Sequence, residues 1–164
     1  MSALTGQPRR KRPEPSPAQR ALGLLVRREH SRRELERKLA ARGVERNEAA
    51  RAIDLMCEQG WQDDTRFAVS LARSRAGSGY GPLRIRQELE MHQLDAGAVD
   101  AAFEALAEDG EDDWAGRARA LVQRRYGPLE DADRARRHKA AEHLLRRGFD
   151  VETARRATGF MADD

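Results

Sequence analysis

Only one cysteine, Cys57, occurs among the 164 residues, so no intrachain disulfide can staple the fold. Aromatic side chains make up 5% of the chain, which leaves Leu, Ala, Ile, Val and Met to build any core and favours thin helical layers over a broad sheet. No apolar run approaches the roughly 18 residues of a membrane span, and the N-terminus lacks the apolar stretch of a signal peptide. The expectation is a cytoplasmic protein with no membrane partner. Lysine is scarce as well: apart from Lys11, Lys38 and Lys139, all 31 basic residues are arginine, the cation suited to planar, bidentate contact with carboxylate or phosphate. An arginine-rich composition with solvated helix faces fits the same count.

Known chemical signatures are missing too. "GSGYG" (77–81) follows a helical pattern and lacks the lysine and spacing of a phosphate-binding loop, so it reads as an interhelical turn. His138 and His143 are five apart and miss the four-residue spacing of a helical zinc pair, so no metal site is expected. Cys57 has no neighbouring thiol and reads as core packing. His30 and His92 sit beside helix ends, where a protonated ring can meet the dipole. Most carboxylates have a basic residue three or four positions away, as with Glu34 and Lys38 or Glu48 and Arg51, the pattern of surface pairs rather than of a catalytic dyad. No enzyme, and no cofactor, is expected.

What is present is charge, unevenly placed, and a repeat. The formal net charge is +3, but Arg9, Arg10, Lys11, Arg12 and Arg20 against Glu14 give residues 1–20 a local +4 and leave 21–164 near −1. A body devoted to phosphate binding would carry a clear positive excess. The proline-rich, basic start predicts a flexible tail over 1–15. Order begins at Ser16-Pro17, an N-cap followed by proline at the first helical position. Ser31 and Glu34 have capping-box spacing, Leu35 and Leu39 lie on one face, and Gly43 and Gly60 supply stops.

Residues 32–56 set above 82–106 keep their apolar register without a gap: Leu35 over Ile85, Leu39 over Leu89, Val44 over Leu94, Ile53 over Phe103, Met56 over Leu106. A third window, 142–157, matches 37–52 at the helix stop and on the packing face. The preceding helices repeat as well, with Phe67, Ala68, Leu71 and Ala72 answered by Trp114, Ala118, Leu121 and Val122. "YGPL" follows both, at 80–83 and 126–129, its glycines permitting unusual backbone angles and its prolines favouring a helix restart. The third copy carries an extra "EDADRARRH", nine residues by the change in alignment shift from 46 to 55. The expected fold is all-α: three tandem three-helix repeats in an elongated, curved helical array. The repeats are placed at 16–62, 63–107 and 113–160, with an acidic link and hinge at 108–112 and a short tail at 161–164.

Arginines cluster where the first helix of each copy meets the second. If the copies stack alike, Arg27, Arg28, Arg32 and Arg33, then Arg73, Arg75, Arg84 and Arg86, then Arg124, Arg125, Arg134, Arg136 and Arg137 form an intermittent basic stripe. It could meet acidic protein or a sugar-phosphate backbone; ordinary solvated helix ends fit the pattern too. The candidate partner-binding residues are Arg73, Arg75, Tyr80, Arg84, Arg86, Arg124, Arg125, Tyr126, Arg136 and Arg137.

"DDTRFAVSLARSRAGSGYGPLRIRQEL" (63–89) with "VDAAFEAL" (99–106) resembles the middle repeat of the RecX regulatory proteins, and "HLLRRGFDVETARRA" (143–157) resembles that family's closing repeat. The likeness spans roughly 17–160 and rests on D-x-R-F-A, G-x-x-R-I and R-G-F; in "MHQL" (91–94) Gln93 stands where the family more often has glycine. The resemblance implies a cytoplasmic, monomeric, non-enzymatic modulator of RecA in DNA repair, homologous recombination and the SOS response. Such proteins lie in the groove of the RecA nucleoprotein filament on single-stranded DNA and restrain strand exchange, ATP hydrolysis and co-protease stimulation. A weak direct contact with single- or double-stranded DNA accompanies this reading. Two rivals remain at this stage: a helical nucleic-acid-binding module acting directly on DNA, and a helical-repeat adaptor for an unrelated protein.

Overall fold

The computed structural model describes residues 11–161. Arg9, Arg10 and the rest of 1–10, together with 162–164 of the expected C-terminal tail, lie outside the described residues; 11–15 are exposed and non-helical. Among the described residues there are nine α-helices and no strand: α1 (Pro17–Leu25), α2 (Arg32–Ala41), α3 (Arg46–Glu58), α4 (Asp64–Gly77), α5 (Pro82–Met91), α6 (Ala96–Glu108), α7 (Trp114–Tyr126), α8 (Arg134–Arg147) and α9 (Val151–Thr158). None is long and apolar enough to cross a membrane.

The extensive helix packing lies within successive triplets, α1–α3, α4–α6 and α7–α9. Each triplet has its own small centre: Leu24, Leu35, Leu39, Ile53 and Met56 in the first, Ala72, Ile85, Leu89, Val99 and Leu106 in the second, Leu121, Val122, Leu144 and Phe149 in the third. A buried leucine or isoleucine contributes about 1.5–3 kcal/mol, so each unit is held by a handful of side chains and depends on its caps and neighbours. These are tandem units, not one globule.

Caps set the helix boundaries. Ser16, Ser31, Glu45, Asp63, Asp95, Asp113, Asp133 and Asp150 each accept a backbone N–H of the helix they start. The reciprocal box forms at Ser16 with Gln19; at Ser31 only one half forms, because the Glu34 carboxylate turns to cations instead. Equivalent left-handed stops occur at Gly43 (φ 79°), Gln93 (φ 55°) and Gly148 (φ 93°). Gln93 is the one non-glycine residue with positive φ among the described residues, so the second copy keeps the stop geometry without the residue that makes it easy.

The two identical tetrapeptides fold differently. Gly81 has φ −86°, an ordinary value, Pro82 starts α5, and Leu83 is 57% exposed. Gly127 takes φ 70°, Pro128 starts no helix, and Leu129 is 8% exposed in the third core. The expectation of an unusual backbone at both glycines therefore holds only at Gly127, and that of a restart at both prolines only at Pro82. The insertion yields both a longer α8, 14 residues against 10 in α2 and α5, and a longer approach to it. That approach is fastened by Arg137, which donates to the carbonyls of Ala132 (3.2 Å) and Glu130 (2.7 Å).

The expected acidic hinge is tied down. Arg73 of α4 pairs with Asp109 and Glu111, while Arg117 of α7 donates to the Glu111 carbonyl (2.9 Å) and, across the link, to the Ala76 carbonyl (3.2 Å).

Replacing Gln93 by glycine removes a left-handed strain of about 1–2 kcal/mol and adds about 0.5–1 kcal/mol of unfolded-state entropy. Gln93→Gly should raise stability by several tenths of a kcal/mol, read as a higher urea midpoint; a lower midpoint would contradict the assignment of strain.

Candidate functional site

The middle helices meet end to end. The N-terminus of α2 touches the C-terminal cap of α5, and the N-terminus of α5 touches that of α8. At each meeting the later repeat supplies acceptors for N–H groups that the earlier helix cannot satisfy internally.

At the first joint, Asp64 of α4 accepts from the Arg32 N–H (2.9 Å) and from the Gln62 amide (2.9 Å), which also reaches the His30 carbonyl (3.3 Å). Ser31 Oγ accepts from the Glu34 N–H (3.0 Å) and is hydrogen-bonded to Nδ1 of His92, 2.8 Å away. The His92 ring packs on Phe67, centroids 4.7 Å apart. His30, 2% exposed, donates from Nδ1 to the Arg28 carbonyl (3.0 Å), so its Nε2 lone pair faces Lys38 Nζ at 3.4 Å. Both partner sets suit neutral rings. Burial pushes the pKa of His30 and His92 down, outweighing the nearby Glu34. The lowered pKa works against the protonated rings expected to serve a helix dipole.

Glu34 is 6% exposed and gripped by Arg28 (3.2 and 2.5 Å) and Lys38 (3.4 Å). Burial pushes its carboxyl up, but Arg28, His30 and Lys38 together hold it below the usual range. It is a buried charge, not the surface partner its spacing suggested. Glu48 and Arg51 form no ion pair. Cys57 is half-buried at the edge of the first core, donates to Gln62 Oε1 (2.9 Å), and has its thiol pKa raised by burial.

At the second joint the acceptors are backbone. Gly148 O accepts from the Leu83 N–H (3.0 Å), the role an N-cap side chain plays elsewhere, and Arg147 O accepts from the Gly81 N–H (2.8 Å). The approach leaves no room for side chains. A Cβ on Gly81 would sit 2.5 Å from the Gly148 carbonyl carbon and oxygen and the Phe149 nitrogen; one on Gly148 would strike Arg84, with its backbone nitrogen at 2.5 Å.

Of the arginines expected in a stripe, several are already engaged. Arg73 holds the acidic link, and Arg75 makes a bidentate pair with Glu88 (2.7 and 2.6 Å) that holds the carboxyl below its usual range. Arg136 donates to the Tyr126 carbonyl and Arg137 to the loop before α8. Arg86 lies over the Phe103 ring (4.7 Å), beside Asp100 (3.8 Å). Tyr126 meets His143 edge-on, centroids 5.8 Å apart.

Arg84, Arg124 and Arg125 are exposed and carry no ion pair. Arg84 reaches towards Tyr80 (5.8 Å to the ring centre), and Arg147 of α8 lies closer, at 4.7 Å, while donating to the Ser78 carbonyl (3.3 Å). The structure thus groups Tyr80, Arg84 and Arg147 around a depression of 750 Å³ that also takes in Gln87 and Met91. Arg147, absent from the expected set, is the residue that sequence reading missed; it stands within R-G-F, a motif whose glycine advertises a close approach. Among the described residues no cluster of three metal-ligating side chains occurs.

Comparison with known proteins follows the triplets. Family models described as RecX first, second and third three-helix domains match residues 19–54, 63–102 and 111–158. Similar curated relatives are regulatory protein RecX of Stenotrophomonas maltophilia K279a, 54% identical over 160 residues (98% of this chain, 95% of that one), and of Xanthomonas citri, 54% over 151 residues (92% and 91%). RecX of Xanthomonas campestris pv. campestris B100 is 51% identical over 166 residues, covering both chains fully. The crystal structure of RecX from Lactobacillus salivarius superposes with a TM-score of 0.67 at 21% identity, covering 86% of this chain and 91% of that one. It bears on the fold alone.

Three histidines whose pKa is lowered by burial set a pH dependence: the buried His30 and His143 and the half-buried His92. Their folded pKa lies below the ordinary 6.5, so the unfolded state binds more protons as pH falls through that value. Their contribution to stability is full above pH 6.5 and is lost below it, whereas that of Glu34 and Glu88 is present above their ordinary 4.5 and is lost only as pH falls below that value. Denaturation midpoints should drop between pH 7 and pH 5, and a His30→Gln/His92→Gln variant should flatten that slope; a slope unchanged in the variant would contradict it.

Proposed function

The chain belongs to the RecX family, and from that premise we propose that it binds the RecA filament formed on single-stranded DNA and inhibits its recombinase, ATPase and co-protease-stimulating activities. It does so as a monomer in the cytoplasm, without chemistry of its own. The observation that carries this reading is the array itself. Three small helical units follow one another, and each offers guanidinium groups outside any internal ion pair: Arg33 and Arg37 in the first, Arg84 in the second, Arg124 and Arg125 in the third.

Single contacts of this kind are weak, but contacts joined on one stiff scaffold add through effective concentration. An array that meets more than one RecA protomer at once biases the filament against the changes of shape that turnover requires. The near-zero charge of residues 21–164 favours protein over phosphate as the main partner. Direct contact with DNA is secondary in this reading.

Substoichiometric amounts of the protein should suppress RecA ATP hydrolysis on single-stranded DNA, while a matched binding assay shows too little DNA bound to account for it. Replacing Arg84, Arg86, Arg124 and Arg125 together by alanine should weaken that inhibition with helicity intact. Undiminished inhibition would reject this set of arginines, and inhibition tracking DNA binding with a steep salt dependence would favour the direct DNA-binding alternative.

A further inference from the structure

The second joint and the cluster beside it belong together. The loop carrying Tyr80 lies against repeat three: the Arg147 guanidinium covers the Tyr80 ring and holds the Ser78 carbonyl, and an added Cβ at Gly79 would lie 3.5 Å from Leu121 and 4.0 Å from the Arg124 guanidinium. Tyr80 and Arg84 come from repeat two, Arg124 and Arg147 from repeat three. The cluster exists only because the glycines at 81 and 148 let two backbones touch.

We infer that the surface around Tyr80 is a composite docking site for an acidic protein segment bearing an apolar side chain, and that Gly81 and Gly148 are positioning residues for it. This deepens the reading above and rests on it for the identity of the protein that carries the segment.

Charge complementarity selects the occupant. Arg84, Arg124 and Arg147 have no carboxylate partner, whereas Glu88, the acidic group lining the depression, is neutralised by its bidentate pair with Arg75. A carboxylate entering between Arg84 and Arg147 gains charge-assisted hydrogen bonds without displacing an internal acid. Within this mostly polar lining two side chains offer apolar contact: the Tyr80 ring, already flanked by cations, and Met91, 71% exposed at the end of α5. Tyrosine, arginine and methionine are the residues enriched at protein interfaces. A single aromatic ring covered by a guanidinium on its face offers no free platform for successive stacked bases, so a protein segment fits better than a nucleic-acid strand.

The positions of Gly81 and Gly148 make the composite nature testable without touching the contact surface. A methyl at Gly81 must push repeat three away by the amount the Gly148 backbone intrudes, and Arg147 moves with it. The Tyr80 and Arg84 side chains stay on repeat two, so the site is pulled apart rather than deleted.

The full chain and its Tyr80→Ala, Arg147→Ala, Gly81→Ala and Gly81→Ala/Arg147→Ala variants would be compared in three readouts: inhibition of RecA ATPase on single-stranded DNA, anisotropy of a fluorescent peptide of alternating Glu and Leu, and amide NMR spectra. Arg147→Ala and Tyr80→Ala should each weaken both inhibition and peptide binding by about tenfold, the scale of an interface anchor. Gly81→Ala should shift the amides of Leu83, Gly148 and Phe149, leave the cores of each repeat unshifted, and lose a similar factor. The double variant should lose little more than either single change, since both remove the same contact. Should Gly81→Ala fail to fold, Arg147→Ala, a half-exposed side chain, decides the docking claim alone.

Wild-type binding of the peptide with no effect on RecA would uphold the site and dismiss the filament as its owner. Full inhibition and peptide binding by Gly81→Ala, with the joint amides shifted, would overturn the positioning role. Binding of oligothymidylate lost in Arg147→Ala, with no peptide binding by the wild type, would overturn the acidic segment in favour of nucleic acid.

Discussion

A helix begins with backbone N–H groups that have no partner inside the helix, and in this chain the partners for two of the middle helices come from the following repeat. Asp64 serves the start of α2, and the Gly148 carbonyl serves the start of α5. Each missing bond would leave a donor in need of water or another acceptor, at roughly 1–3 kcal/mol where it is buried. With such small cores inside each triplet, that is a sizeable share of what holds the units in register. The dipoles also run in sequence, the negative end of one middle helix against the positive start of another, an arrangement favoured by tenths of a kcal/mol or more.

The two joints solve the same problem with different chemistry. The first is made of side chains: Ser31 to His92, Asp64 to Arg32, with Glu34 buried against Arg28 and Lys38. Such a cluster is sensitive to protonation, because its rings are held neutral by burial. The second is backbone on backbone and depends on two positions having no side chain at all. It is insensitive to pH and intolerant of a methyl group. The array therefore has one joint that responds to solution conditions and one set by shape, and the aromatic and arginine cluster lies at the latter.

Helices and their limits were legible because the signals are local. Ser16 and Ser31 announce starts within three residues, the apolar register repeats at a shift of 50, and Gly43 and Gly60 mark ends. The joints were not legible, since they link residues 32 to 69 positions apart, as with Arg32 and Asp64 or Ser78 and Arg147. "YGPL" shows the limit most clearly. One copy is pressed against the Gly148 backbone and extends, while the other packs Leu129 into the core of its own repeat and turns through a left-handed glycine. The arginine stripe was legible as a list but not as a surface: Arg73, Arg75, Arg136 and Arg137 are occupied inside the molecule, while Arg147 enters from a motif that looked like a helix stop.

The most direct test of inter-repeat capping is hydrogen exchange at the Leu83 amide in the intact protein. Leu83 is the second residue of α5 with its side chain largely in solvent, and in an uncapped helix such an amide exchanges almost freely. Bonding to Gly148 predicts protection close to that of the Ile85 amide two residues along, which bonds to the Gly81 carbonyl. Exchange at the rate of an exposed loop would mean that the repeats merely follow one another in sequence, and the shared capping would have to be abandoned.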